Sequence, residues 1–199
     1  MLFKLPVRTK NVLVNRITIM FNITKFSIFL ALLGILGGCA TPARIEQMAA
    51  VVPPSAQPVN PALRNNIGVA STTGGRETNP MWTSQVSSEA FQRALELSLE
   101  NSGLLSKIAS GGKYQLTADL TRLDQPFMGI DMTVTATVRY SLVETQSRKE
   151  IYSKVIQVPF TAKFSDAALG VERLKLANEG AVKVNIQAFI TDILALNIP

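Results

Sequence analysis

The chain has no histidine and a single cysteine among its 199 residues. Without histidine it lacks the commonest general base, the commonest metal ligand and the base of the usual serine triad. Without a second cysteine it has no thiolate metal cluster, no redox pair and no internal disulfide. Its fold must be held by its core alone. The glycines build no phosphate cradle: "SGGKY" (110–114) lacks the leading glycine at the right spacing and the Ser/Thr after lysine, and "TTGGRET" suits a solvated turn. No internal repeat is present. These absences lead us to expect no enzyme, no cofactor and no metal.

One carboxylate arrangement stays open. Asp124 and Asp131 flank "DQPFMGID", and two carboxylates held about 5–9.5 Å apart in a cleft can do acid–base work. The plainer reading makes both turn residues at strand ends, where Asp is common.

The lone cysteine, Cys39, ends the run "FSIFLALLGILGGC". Lys25 supplies a positive lead-in, and Phe26–Leu36 is the length of a secretory signal's apolar region, about 7–15 residues. That is short of the ~20 apolar residues a membrane span needs. Leu36-Gly37-Gly38-Cys39 reads as a lipobox, and over these first 39 residues the chain resembles bacterial lipoproteins. The resemblance implies a diacylglycerol on the Cys39 sulfur, cleavage before Cys39 and acylation of the new amino terminus. It also implies that Ala40, where an Asp would favour inner-membrane retention, sends the protein to the periplasmic face of the outer membrane. Several acyl chains are needed for a stable anchor, since each buried CH₂ contributes only ~0.8 kcal/mol. We therefore expect residues 1–38 to be a signal peptide and Met20 to be its true start. Intact mass of precursor trapped by blocking the signal peptidase tests this, and a species carrying residues 1–19 would refute it.

Charge follows the same division. Lys4, Arg8, Lys10, Arg16 and Lys25 all precede Cys39, so the mature chain keeps 15 basic against 14 acidic side chains, about +1. The basic pI belongs mostly to the signal, and no nucleic-acid partner is expected.

Five of the ten prolines fall in residues 40–64. Proline stiffens such a segment toward an extended form, so residues 39–64 read as a lipidated tether. A partly ordered arm with a short helix near Ile45–Ala50 is the alternative. Residues 65–199 then form one domain of ordinary size.

Within that domain, "NIGVAS" (66–71) is a short strand. "SQVSSEAFQRALELSLEN" (84–101) is a helix with Val86, Ala90, Ala94 and Leu97 on its apolar stripe, widened by Phe91 and Leu95. Ser84 or Ser87 caps it, and Gly103-Leu104 fits a left-handed C-cap. "KYQLTADLTRL" and "DMTVTATVRYSLV" alternate apolar and polar residues, the period-2 mark of half-buried strands. "IYSKVIQVPFTAKF" adds a strand whose Pro159 suggests an edge or bulge. A last helix starts at Asp166, with Leu174, Ala177, Ala181, Val184, Ala188 and Ile193 on its stripe and Gly180 permitting close packing. The order β-α-β-β-β-α implies an α+β two-layer sandwich: a mostly antiparallel sheet with two helices on one face. This layout is similar to small periplasmic α/β lipoproteins, such as the lipopolysaccharide-assembly lipoprotein and the auxiliary lipoproteins of lipid-transporting ABC systems.

Phe127 and Met128 lie in the loop "QPFMG", and Trp82 in "NPMWT". Either stretch packs on its own domain or presents apolar side chains to a lipid or partner protein. Trp82, Phe127 and Met128 are thus the candidate contact residues, for an outer-membrane protein or a glycolipid. The function class we expect is a non-enzymatic accessory or binding module in envelope assembly or lipid handling. The alternatives are a carboxylate-dependent hydrolase or transferase and a purely structural lipoprotein.

Overall fold

Thr and Val recur along "MTVTATVRYSLVE", and β-branched residues favour the pleated, half-buried surface that this segment forms. It is strand β3 (Met132–Glu144) in the computed structural model, which describes residues 39–51, 60–81, 83–108 and 111–198. Residues 1–38 and Trp82 lie outside the described residues. β3 buries Met132, Val134, Ala136, Val138, Tyr140 and Leu142 on one face and turns Thr133 and Arg139 to solvent on the other.

β2 (Tyr114–Asp124) pairs antiparallel with β3, setting Leu116 opposite Leu142 and Ala118 opposite Tyr140. β4 (Glu150–Ala162) pairs antiparallel on the far side of β3. It is an edge strand of the sheet order β1-β2-β3-β4, which is where Pro159, lacking an N–H, is tolerated. β1 (Ile67–Thr73) forms the other edge and runs parallel to β2. A parallel neighbour needs a crossover connection, and here a helix supplies it.

That helix is α2 (Ser88–Asn101), preceded in the chain by the short α1 (Ile45–Met48). The Ser87 Oγ accepts a hydrogen bond from the Ala90 N–H at 3.1 Å, capping α2. Its core stripe is Phe91, Ala94, Leu95, Ser98 and Leu99, the 3-4 spacing of one helical face. Gly103 sits at φ 67°, and the Leu104 N–H reaches back to the Leu99 carbonyl at 2.8 Å, closing the left-handed C-cap.

α2 starts four positions later than the expected Ser84. Residues 84–87 are held extended by bonds to other segments. The Arg76 N–H donates to the Val86 carbonyl, and Gln125 and Asn178 both donate to the Ser84 carbonyl. Val86 is accordingly buried from a loop, and Ala90 and Leu97 flank the stripe rather than centre it.

α3 (Gly170–Leu194) likewise starts after the expected Asp166. Asp166 instead accepts from the Lys163 N–H in a turn, and the Arg173 guanidinium donates to the Ala167 and Ala168 carbonyls at 2.6 and 2.8 Å. α3 is buried on several sides, because it packs on β3 and β4 and also against α1 and α2. Val182, Ile186, Phe189 and Ile190 therefore join Ala177, Ala181 and Ile193 in the core, while Leu174, Val184 and Ala188 are half-buried.

Tyr140 stacks on Phe189 with ring centroids 4.2 Å apart. Its hydroxyl donates to the Asn185 Oδ1, and the Asn185 Nδ2 donates to the Ala136 and Ile156 carbonyls. Gly180 faces Phe160, and a Cβ at that position would collide with the ring. The result is an α+β two-layer sandwich, a mixed four-stranded open sheet with its helices on one face.

The reading of residues 39–64 as a free tether needs correction. Residues 40–51 and 60–64 belong to the domain: Met48, Ala50 and Leu63 are fully buried, and α1 packs on α2 and α3. The most proline-rich part, residues 52–59, lies outside the described residues.

Candidate functional site

The arm is strapped down by polar contacts spaced along it. The Ala40 N–H donates to the Pro80 carbonyl at 2.8 Å and the Ala43 N–H to the Gln85 carbonyl at 3.3 Å. Arg44 closes a two-pronged pair with Glu179 of α3, Nε to Oε1 at 2.9 Å and Nη2 to Oε2 at 2.8 Å. The Arg44 backbone N–H reaches the same carboxylate at 2.8 Å. Glu179, with its hydrogen bonds and charge, holds the Arg44 guanidinium above its ordinary range despite some desolvation. Further along, the Ala50 N–H donates to the buried Ser98 Oγ at 2.8 Å.

Cys39 is exposed, and Ala40, the next residue, is fixed beside Pro80. The end of the domain at which this happens is built from loops. The segment 74–87 enters α2 there, the loop 125–131 joins β2 to β3, and the loop 163–169 joins β4 to α3. These loops brace one another. The Gln85 Nε2 donates to the Gln125 Oε1 at 3.0 Å, and the Gln125 Nε2 donates to the Ser84 carbonyl and the Asn178 Oδ1. The Phe164 N–H donates to the Asp131 Oδ1 at 2.9 Å. Buried Arg173 donates to the Gly129 carbonyl and lies 5.0 Å over the Phe164 ring.

On this braced frame the predicted contact residues point outward. Phe127 is 96% exposed and Met128 74%, so these two side chains do not pack on their own domain. Sequence reasoning missed their companions Ile130, at 77% exposed, and Met81, Phe164 and Leu169, also exposed. Ile130 was visible in the same "QPFMGID" stretch. Phe164 and Leu169 border β4 and α3 and read as continuations of those elements. Trp82, the third predicted contact residue, lies outside the described residues.

Two concavities accompany this end. A polar cleft of about 270 Å³ is lined by Arg76, Gln85, Arg122, Asp124 and Gln125 among others. Asp124 accepts from the Arg122 Nε at 2.5 Å. Asp131 is not part of the cleft wall, because it serves the Phe164 amide. The two carboxylates do not line one cleft.

The second concavity is a groove of about 430 Å³ between α3 and β4, with Phe160, Ala162, Leu176, Gly180 and Val184 as its apolar lining and Gln47, Asp166, Glu179, Lys183 and Gln187 as its polar lining. Gly180 shapes it by letting the Phe160 ring lie against the helix. Lys183 forms no ion pair among the described residues. No metal-binding cluster of His, Cys, Asp and Glu occurs among the described residues. No helix among them is long and apolar enough to cross a membrane.

No family model and no curated protein matches the chain. Its fold is similar to that of solved structures. Protein XCC0632 (DUF330) from Xanthomonas campestris superposes with a TM-score of 0.52 at 15% identity, over 68% of this chain and 89% of that one. PelC from Paraburkholderia phytofirmans, a dodecamer, gives 0.48 at 12% identity, over 70% and 95%. A candidate lipoprotein from Caulobacter crescentus gives 0.44 at 14% identity, over 67% and 90%. At these identities the likeness to the Xanthomonas protein speaks for the fold.

Proposed function

We propose that the chain is a bacterial envelope lipoprotein, acylated on Cys39 at the periplasmic face of the outer membrane, whose domain is a non-enzymatic binding module for lipid handling during envelope assembly. The observation that carries the binding role is the groove between α3 and β4. Phe160, Ala162, Leu176, Gly180 and Val184 make its apolar part; of its charged lining residues, Glu179 is paired with Arg44, and Lys183 forms no ion pair with Asp166 or any other carboxylate among the described residues. An apolar slot beside an ammonium suits one acyl chain of a phosphorylated lipid, the chain desolvated by the walls and the phosphate met by Lys183. That Asp131 does not line the cleft holding Asp124 favours the non-enzymatic reading over the carboxylate-dependent alternative.

The test is mass spectrometry of lipid retained by the purified protein, with Val184→Asp as the variant. A carboxylate placed among the apolar lining residues must be desolvated by an arriving acyl chain, which weakens binding by about tenfold or more. Equal lipid retention by the variant, with its circular dichroism unchanged, would refute the groove as the binding site.

A further inference from the structure

We propose that the domain does not hang from a tether but stands on the membrane that holds its anchor. The loop end faces down, with Phe127, Met128 and Ile130 set into the acyl layer of that leaflet. This rests on the reading that Cys39 is acylated.

Geometry ties the two together. Consecutive Cα atoms are about 3.8 Å apart, so the anchored residue lies one peptide unit from Ala40. Ala40 is bonded to Pro80, at the root of exposed Met81. The segment carrying Pro80 continues to Ser84 and Gln85, which grip Gln125 at the base of the Phe127 loop. The neighbouring loop, with exposed Phe164 and Leu169, is fastened to it through Asp131 and Arg173. The Arg44–Glu179 pair and the buried Met48 stop the arm from paying out. A leaflet held one residue away is at very high effective concentration for these side chains. It is the first apolar phase they meet.

The chemistry of the end fits a lipid phase. Large apolar side chains project at the tips, while Gln85, Gln125, Asn178, Asp131 and the Arg173 Nη2 behind them are hydrogen-bonded within the domain. Arg76, Arg122 and Lys163 stand beside Glu77, Asp124, Asp131 and Asp166 at this end, a balance of about −1, so charge does not draw it to an anionic leaflet. The seating is therefore apolar and insensitive to salt. The groove's Ala162 and Asp166 belong to this same end, which puts the groove within reach of lipid in the leaflet.

The experiment uses the full chain, processed in a bacterial envelope, purified in detergent and reconstituted into phospholipid vesicles of phosphatidylethanolamine and phosphatidylglycerol. Acylation consumes the Cys39 thiol, so Phe127→Cys provides a unique site for an environment-sensitive fluorophore. Ser147→Cys, exposed in the β3–β4 turn at the opposite end of the sheet, is the control. Intact mass reports acylation in the same samples. The expected result is blue-shifted emission at position 127, quenched by brominated acyl chains and unchanged by added salt, with position 147 unquenched. Acylated protein that floats with the vesicles while position 127 is quenched no more than position 147 overturns the seating alone, and with it leaves a protein partner as the occupant of the loops. A chain that is not acylated overturns both the seating and the lipoprotein reading.

Discussion

Removing the Arg44 side chain, as Arg44→Met, should release the arm without unfolding the sheet. Glu179 is 2% exposed and takes three donors from Arg44, two from the guanidinium and one from the backbone. The Arg44 side chain is itself 47% exposed, so part of the pair's attraction is screened by water. Breaking a fully buried pair from one side costs about 3–5 kcal/mol, and a hydrogen bond to a charged group contributes about 1.5–3 kcal/mol. With the exposed half discounted, we expect about 2–4 kcal/mol for Arg44→Met. Amide hydrogen exchange reads this directly, because the Ala40, Ala43 and Ala50 N–H groups are bonded to Pro80, Gln85 and Ser98. Their protection should fall by about 30- to 1,000-fold, while amides of β2 and β3 keep theirs. The partner change Glu179→Met in the same chain should restore most of the loss, since removing both halves of a pair leaves no stranded charge. Protection of Ala40 and Ala43 unchanged in Arg44→Met would show that the pair does not hold the arm.

Gly180→Ala improves helix propensity by up to ~1 kcal/mol but forces a methyl group into the Phe160 ring. We expect net destabilisation of about 1–2 kcal/mol by denaturant unfolding, and a change of sign in a Phe160→Ala background, where the ring is gone. A Gly180→Ala chain that is more stable than the parent would contradict the close contact. Burial, reinforced by Tyr152, pushes the Tyr140 phenol well above its ordinary range, and burial with the hydrogen bond to Asp192 raises Tyr152 in the same direction. A phenol raised in the folded state keeps its proton after the unfolded chain has lost its own near pH ~10. Its contribution is therefore complete below about pH 10 and is lost as pH rises beyond it, with a slope of up to ~1.4 kcal/mol per pH unit for Tyr140. Tyr140→Phe should flatten this alkaline loss while costing about 1–3 kcal/mol at neutral pH, because the Asn185 Oδ1 loses its donor. An identical pH slope in the variant, measured from denaturant midpoints, would refute the assignment.

The sheet was legible because its signals are local. Through "MTVTATVRYS" each apolar residue is followed by a polar one, so burial of one face is written in the chain itself. Gly103 and Pro159 were legible for the same reason, since a left-handed cap and a missing N–H are properties of one residue. The start of α2 was not, because Ser84–Ser87 have fair helical pattern and are pulled straight by Gln125, Asn178 and Arg76 from elsewhere. The parallel placement of β1 also depends on a crossover that no short stretch encodes. The arm reads as a tether in the sequence because half of the chain's prolines fall within residues 40–64. Its attachment rests on partners more than 40 positions away, Ser98 and Glu179. Of the site, Phe127 and Met128 stood out because apolar residues between Pro126 and Gly129 obey no strand or helix period. The groove needs β4 and α3 to be adjacent, and only Gly180 hinted at that.

The most direct test of the account is the intact mass of the protein extracted from bacterial membranes. The expected species is a chain that begins at Cys39 and carries a diacylglyceryl group on sulfur and an acyl group on its amino terminus. A chain that begins elsewhere, or one with a free thiol at Cys39, would contradict it.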